Sequence, residues 1–164
     1  MNYHLIRTDD MLNGDGIRVV LFVSGCSHYC NHCHNSETWD SNSGKLFNEE
    51  AIELIIKELE KDYISGITLS GGDPLYENNL DEVLSLIKEI KNKFPNKNIW
   101  IYSGYTWEEL DERRLEIVKL CDVFCDGKFN EEFADVNTPW VGSTNQRVID
   151  IKKTLLNNNV PVLH

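Results

Sequence analysis

Ile17-Arg18-Val19-Val20-Leu21-Phe22-Val23 runs directly into Ser24-Gly25-Cys26-Ser27-His28-Tyr29-Cys30-Asn31-His32-Cys33. The first seven residues are a compact, β-branched apolar run closed by Ser-Gly, which reads as a buried strand. The cysteines then fall in the loop that leaves it. The same rhythm recurs downstream. A helix is expected over about 48–61, where Ala51, Ile52, Leu54, Ile55, Ile56 and Leu59 form an apolar stripe behind an acid-rich first turn. Residues 66–70 (GITLS) read as the next strand and are broken by Gly71-Gly72-Asp73-Pro74. Leu80, Val83, Leu84, Leu86, Ile87 and Ile90 then recur at helical spacing until Phe94-Pro95 stops them. Residues 98–103 and 122–126 read as two further strands. Between them Thr106 and Glu109 have the spacing of a capping box, which predicts a helix running to about Leu120.

A β-loop-α repeat predicts an α/β fold with a mainly parallel sheet, right-handed crossovers and functional loops at the strand C-termini. A closed eightfold barrel takes about 250 residues, and this chain has 164. The expectation is an open, incomplete (β/α) barrel of about five or six strands, counting 3–7 and 147–151, in a single domain over 1–164. Residues 130–146 lack clear periodicity and read as a loop.

Composition narrows the function. Hydrophobic residues at 41% and charged residues at 26% are ordinary for a folded protein. With 27 acidic against 16 basic residues the net charge is -11, which argues against binding a nucleic-acid backbone. No apolar stretch has the length of a secretory signal or a membrane helix, so a cytoplasmic protein with no membrane attachment is expected. There thiols stay reduced, and clustered cysteines point to metal or catalysis.

Cys26, Cys30 and Cys33 form a Cys-x3-Cys-x2-Cys run. Chance placement of five cysteines would give this spacing with an expectation of roughly 0.002, so the spacing needs a cause. A structural zinc site closes with four Cys or His ligands, and His28, His32 and His34 are near enough to supply one. Alternatively, three cysteines can hold three irons of a 4Fe-4S cube and leave the fourth open to a cofactor or substrate. Cys121 and Cys125 are expected to be buried core thiols, not a second metal site. Trp39, Trp100, Trp107 and Trp140 read as core or interface residues.

The segment from Asn13 to Asn35 resembles the start of the radical S-adenosylmethionine enzymes, in particular their glycyl-radical-enzyme activases. The resemblance continues through 70–75 (SGGDPL), 100–105 (WIYSGY), 126–129 (DGKF) and 142–147 (GSTNQR), in order along nearly the whole chain. Those blocks resemble the branch whose protein substrate is anaerobic ribonucleoside-triphosphate reductase. The resemblance implies a radical S-adenosylmethionine type barrel, and a 4Fe-4S cluster on Cys26, Cys30 and Cys33 with S-adenosylmethionine chelating the open iron. It further implies reductive cleavage of that cofactor to methionine and a 5'-deoxyadenosyl radical, and formation of a glycyl radical on the reductase. A flavodoxin-like donor would supply the electron, and no side chain is needed as a general acid or base.

On the same basis Gly71, Gly72 and Asp73 are expected at the methionine amino group, glycine permitting close approach of backbone carbonyls. Many superfamily members carry Glu where this chain has Asp73. The backbone of His32, with Cys33 and His34, is expected near the adenine. Ser103, Asp126 and Lys128 are expected to face the site, Lys128 neutralising the methionine carboxylate. Arg18 reads either as compensating cluster charge or as an outer-face ion pair. The short chain leaves little mass for a lid over a small molecule, which favours a protein substrate. A small-molecule radical enzyme resembling the deazaguanine-forming synthases, and a non-enzymatic zinc or electron-transfer module, stay open as alternatives.

Overall fold

Seven strands form one open sheet in the computed structural model, which describes all of residues 1–164. In chain order they are β1 (Asn2–Asp10), β2 (Ile17–Val23), β3 (Lys45–Leu46), β4 (Ile64–Gly71), β5 (Asn98–Tyr102), β6 (Val123–Asp126) and β7 (Arg147–Asp150). The helices are α1 (Glu49–Leu59), α2 (Leu80–Lys93), α3 (Glu112–Lys119) and α4 (Ile151–Leu156). The sheet order is β3-β1-β2-β4-β5-β6-β7. Strands β2, β4, β5 and β6 pair in parallel, while β1, β3 and β7 pair antiparallel at the two sides.

The parallel centre and the β-loop-α rhythm match the expectation. Two features of it are corrected. The sheet, open as expected, has seven strands in place of five or six, and the Thr106 to Glu109 capping box opens only a 3-10 turn, Trp107–Glu109. Asp111 then caps α3 separately by accepting the backbone N–H of Arg114. An extended Leu110 between them ends the first turn, so the pattern holds two starts where one continuous helix was expected.

Strand alternation divides the sheet into two faces. Val19, Leu21 and Val23 of β2, Ile67 and Leu69 of β4, Ile99 and Ile101 of β5, and Phe124 of β6 all belong to one buried cluster. The helices fill it with Ala51, Ile55 and Leu59 from α1, Val83, Ile87 and Ile90 from α2, Ile117 and Val118 from α3, and Ile151 from α4. Each fully buried Leu or Ile there contributes about 1.5 to 3 kcal/mol relative to exposure. The intervening residues turn to the other face, where Trp100, Val123, Cys125 and Val141 form a smaller cluster. Asn48 caps α1 by accepting from the Ala51 amide, and Pro95 follows the last turn of α2. The long helical stripe therefore becomes one covered face, and the parallel strands aim their C-termini at a common edge.

Candidate functional site

The loop leaving β2 carries the three clustered cysteines, with Cys26 buried and Cys30 and Cys33 half-buried. They line one cavity of about 140 Å³ together with Gly71 and Gly72 after β4, Ser103 after β5, and Gly127 and Lys128 after β6. Every one of these follows the C-terminal end of a parallel strand, where α/β folds place their ligands. Lys128 and Phe129 separate this cavity from a second, polar recess of about 600 Å³ that reaches Tyr29 and Asn31 on the cysteine loop.

Backbone amides act on all three sulfurs, with a hydrogen bond formed at Cys33. Burial pushes the Cys26 thiol up to about 11, while the N–H groups of His28 and Tyr29 pull it the other way. Burial likewise raises Cys30, opposed by the Phe129 N–H and by the charge of Lys128. Asn35 donates its N–H to Cys33 Sγ at 3.4 Å. Amides directed at sulfur stabilise thiolates, and such hydrogen bonds tune iron–sulfur clusters. Cys, His, Asp and Glu side chains nowhere converge in threes on a point where a single ion could sit. Three thiols spread round one cavity, each with an amide acting on it, fit the separate corners of a cubane. Of the histidines that would close a zinc site, His28 lines the same cavity but its Nε2 is engaged, and the other two stand outside it. His28 bonds Asp73, His32 lies 3.3 Å from Glu131, and the His34 ring packs 5.3 Å from Phe129.

Glycine is required on the opposite wall. Gly71 has φ +106, and a Cβ there would lie 2.5 Å from the Val23 amide nitrogen. A Cβ on Gly72 would lie 2.6 Å from the Gly25 carbonyl oxygen. The Gly72 and Asp73 amides donate to Val23 and Gly25, so this turn is fastened to the root of the cysteine loop. Asp73 is almost fully buried. Its Oδ1 accepts from the Leu75 amide, and its Oδ2 accepts from His28 Nε2, Ser103 Oγ and the Gly104 amide at 2.7, 2.9 and 3.1 Å.

A family model described as a 4Fe-4S single cluster domain matches residues 12–149. The chain is 44% identical over 148 residues to the anaerobic ribonucleoside-triphosphate reductase-activating protein of Enterobacteria phage T4, covering 90% of this chain and 93% of that protein. It is 43% identical over 150 residues to the protein of the same name from Escherichia coli, covering 90% and 97%. The chain belongs to the family of anaerobic ribonucleoside-triphosphate reductase-activating proteins.

Within this family member, the structure brings Cys26, Cys30, Cys33, Gly71, Gly72, Ser103 and Lys128 around one cavity. Four further residues expected at the site are placed as follows. The Asp73 carboxylate is buried and accepts four hydrogen bonds from within the protein, and its backbone is part of the Gly71-Gly72 turn expected at the amino group. Asp126 is fully buried, and its carboxylate accepts from Arg147 and from the Trp107 amide. His32 is exposed, with a left-handed backbone at φ 57, and its side chain does not line the cavity. His34 is also exposed and stands against Phe129 outside it.

Arg18 fits neither of its expected roles. It lies at the start of β2, at the far end of that strand from Cys26, fully buried, and burial lowers its pKa to about 10. Its guanidinium donates to Thr68 Oγ1, the Asp15 and Ile67 carbonyls and Asn98 Oδ1, and it lies over Trp100. Cys121 and Cys125 are buried, as expected. Trp100 and Trp107 are core residues, while Trp39 and Trp140 are half-buried.

Sequence reasoning missed three residues at the site. His28 is distinguished from His32 and His34 only by its burial. Phe129 forms the wall between the two recesses. Gln146 closes the 127–146 loop, its Oε1 accepting from the Gly142 and Ser143 amides and its Nε2 donating to the Gly127 carbonyl. Its place within the 142–147 block was the available signal.

Proposed function

We propose that this chain activates anaerobic ribonucleoside-triphosphate reductase by producing a glycyl radical on it. The reading is carried by one observation: the three clustered cysteines share a cavity with the Gly71-Gly72 backbone. When bound, the 4Fe-4S cluster and S-adenosylmethionine supply reductive cleavage to methionine and a 5'-deoxyadenosyl radical that takes hydrogen from a glycine α-carbon of the reductase. The residues of this chain bind and orient. Cys26, Cys30 and Cys33 would hold the cluster through three of its irons. The Gly71 and Gly72 backbone receives the methionine amino group, because no side chain blocks its approach. Ser103 supports that turn through Asp73. Lys128, exposed on the cavity rim, offers a cation to the methionine carboxylate.

The reducing electron comes from a flavodoxin-like donor, and the protein works in the cytoplasm as a single domain over 1–164. No helix is long and apolar enough to cross a membrane. Anaerobic reconstitution with iron and sulfide, followed by assay for 5'-deoxyadenosine and for a glycyl radical by electron paramagnetic resonance after adding the reductase, tests the reading. Cofactor cleavage without a glycyl radical would replace the reductase with another substrate. Neither product would remove the radical chemistry altogether.

A further inference from the structure

The bond from His28 to Asp73 joins the middle of the cysteine loop to the turn after β4, across 45 residues of sequence. Residues 27–32 make no backbone-to-backbone hydrogen bond outside their own loop. The buried side chain that ties this arc down is His28, which is 7% exposed. Asp73 Oδ2 already accepts from Ser103 Oγ and the Gly104 amide. An ionised carboxylate only accepts, so His28 Nε2 carries the proton and donates. The ring is confined on other sides as well. Tyr105 meets it edge-on at 4.6 Å, Arg114 lies over the Tyr105 ring at 4.7 Å, and a Cβ on Gly104 would come within 2.3 Å of the imidazole. Arg114 also donates to the Leu75 carbonyl, and the Leu75 amide donates to Asp73. The contacts therefore close into a ring of residues from three loops and a helix.

We propose that His28 is a positioning residue: through Asp73 it holds the cluster-binding arc in register with the Gly71-Gly72 turn. That register sets where the open corner of the cluster sits relative to the amino-group site of S-adenosylmethionine. The proposal rests on the cofactor reading above, and its physical basis is a buried, charge-assisted hydrogen bond between two otherwise separate walls.

The test compares wild type with His28→Ala, His28→Gln and Gly104→Ala. Hydrogen exchange of the metal-free chain is read over residues 26–35. Iron content, and KM and kcat for S-adenosylmethionine cleavage, are read on the reconstituted enzyme. His28→Ala is expected to speed exchange in that segment and to raise KM about tenfold or more, with kcat affected less and three-cysteine iron loading retained. Gly104→Ala should do the same by displacing the ring. His28→Gln, whose amide can donate to Asp73, should recover most of both. Wild-type exchange and KM in His28→Ala would overturn the proposal. If His28→Ala does not fold, His28→Gln decides alone: near wild-type values support the tether, and loss of both overturns it. A wild-type protein that cleaves no S-adenosylmethionine would remove the cofactor reading, while the exchange measurement would still report on the His28 to Asp73 tether.

Discussion

Arg147 places its guanidinium 2.5 Å from the Asp126 carboxylate, which also accepts the Trp107 amide at 2.8 Å. Asp126 is fully buried, whereas the second acidic partner of Arg147, Glu108, is mostly exposed. Asp126→Ala leaves the buried Trp107 amide without its acceptor and Arg147 with Glu108 alone, so it should lower unfolding free energy by about 1 to 3 kcal/mol. Glu108→Ala should cost about 0.5 kcal/mol. Denaturant titration of the metal-free protein measures both. Equal losses would show that burial does not distinguish the two carboxylates.

The five cysteines should separate into two groups. Cys26→Ala, Cys30→Ala and Cys33→Ala should each lose the brown cluster absorbance and the formation of 5'-deoxyadenosine. Cys121→Ala and Cys125→Ala, at buried core positions, should keep iron content and lose about 1 kcal/mol of stability to the small cavity created. Iron loss in either core variant would make it a ligand.

Gly71 and Gly72 stand where a side chain meets backbone, not a movable neighbour. Gly71→Ala carries both that clash and a left-handed φ, so it should destabilise by more than about 1 kcal/mol. Gly72→Ala should push the turn away from Gly25 and raise KM for S-adenosylmethionine. An unchanged KM in a folded Gly72→Ala protein would move the amino-group site elsewhere.

Lys128 is exposed on the cavity rim, so its removal should be felt in binding more than in folding. Lys128→Ala should raise KM for S-adenosylmethionine with the melting temperature nearly unchanged, and Lys128→Arg should restore most of the affinity. Wild-type KM in Lys128→Ala would leave this lysine a solvated loop residue.

Asp10 supplies a pH dependence. Burial raises its pKa, but the amides of Leu12 and Asn13, the Asn13 side chain and Arg7 together outweigh burial, leaving the carboxyl below 3.8. A group whose folded pKa is depressed stabilises the fold above its unfolded value and loses that contribution as pH falls through the folded one. Unfolding free energy measured between about pH 6 and pH 2 should therefore fall less steeply in Asp10→Asn than in wild type. Identical slopes would remove Asp10 from the acid limb.

The sequence by itself determined the parallel core and singled out the three clustered cysteines as the candidate ligands. Both are local patterns: apolar runs at strand and helix periods, and three thiols spaced within eight residues of one loop. Strand Ile17–Val23 matched its expected bounds because its ends are marked by turn residues. What the tertiary structure alone decided was which polar groups face the cavity. Asp73, Asp126, His28 and His32 differ in role because pairing of distant strands buries the first three and leaves the last exposed. A buried carboxylate must be met by donors, and those donors come from loops 19 to 45 residues away. Linear spacing carries no record of such meetings. Local chemistry therefore named the candidate ligands, and packing between distant segments decided which polar residues surround them.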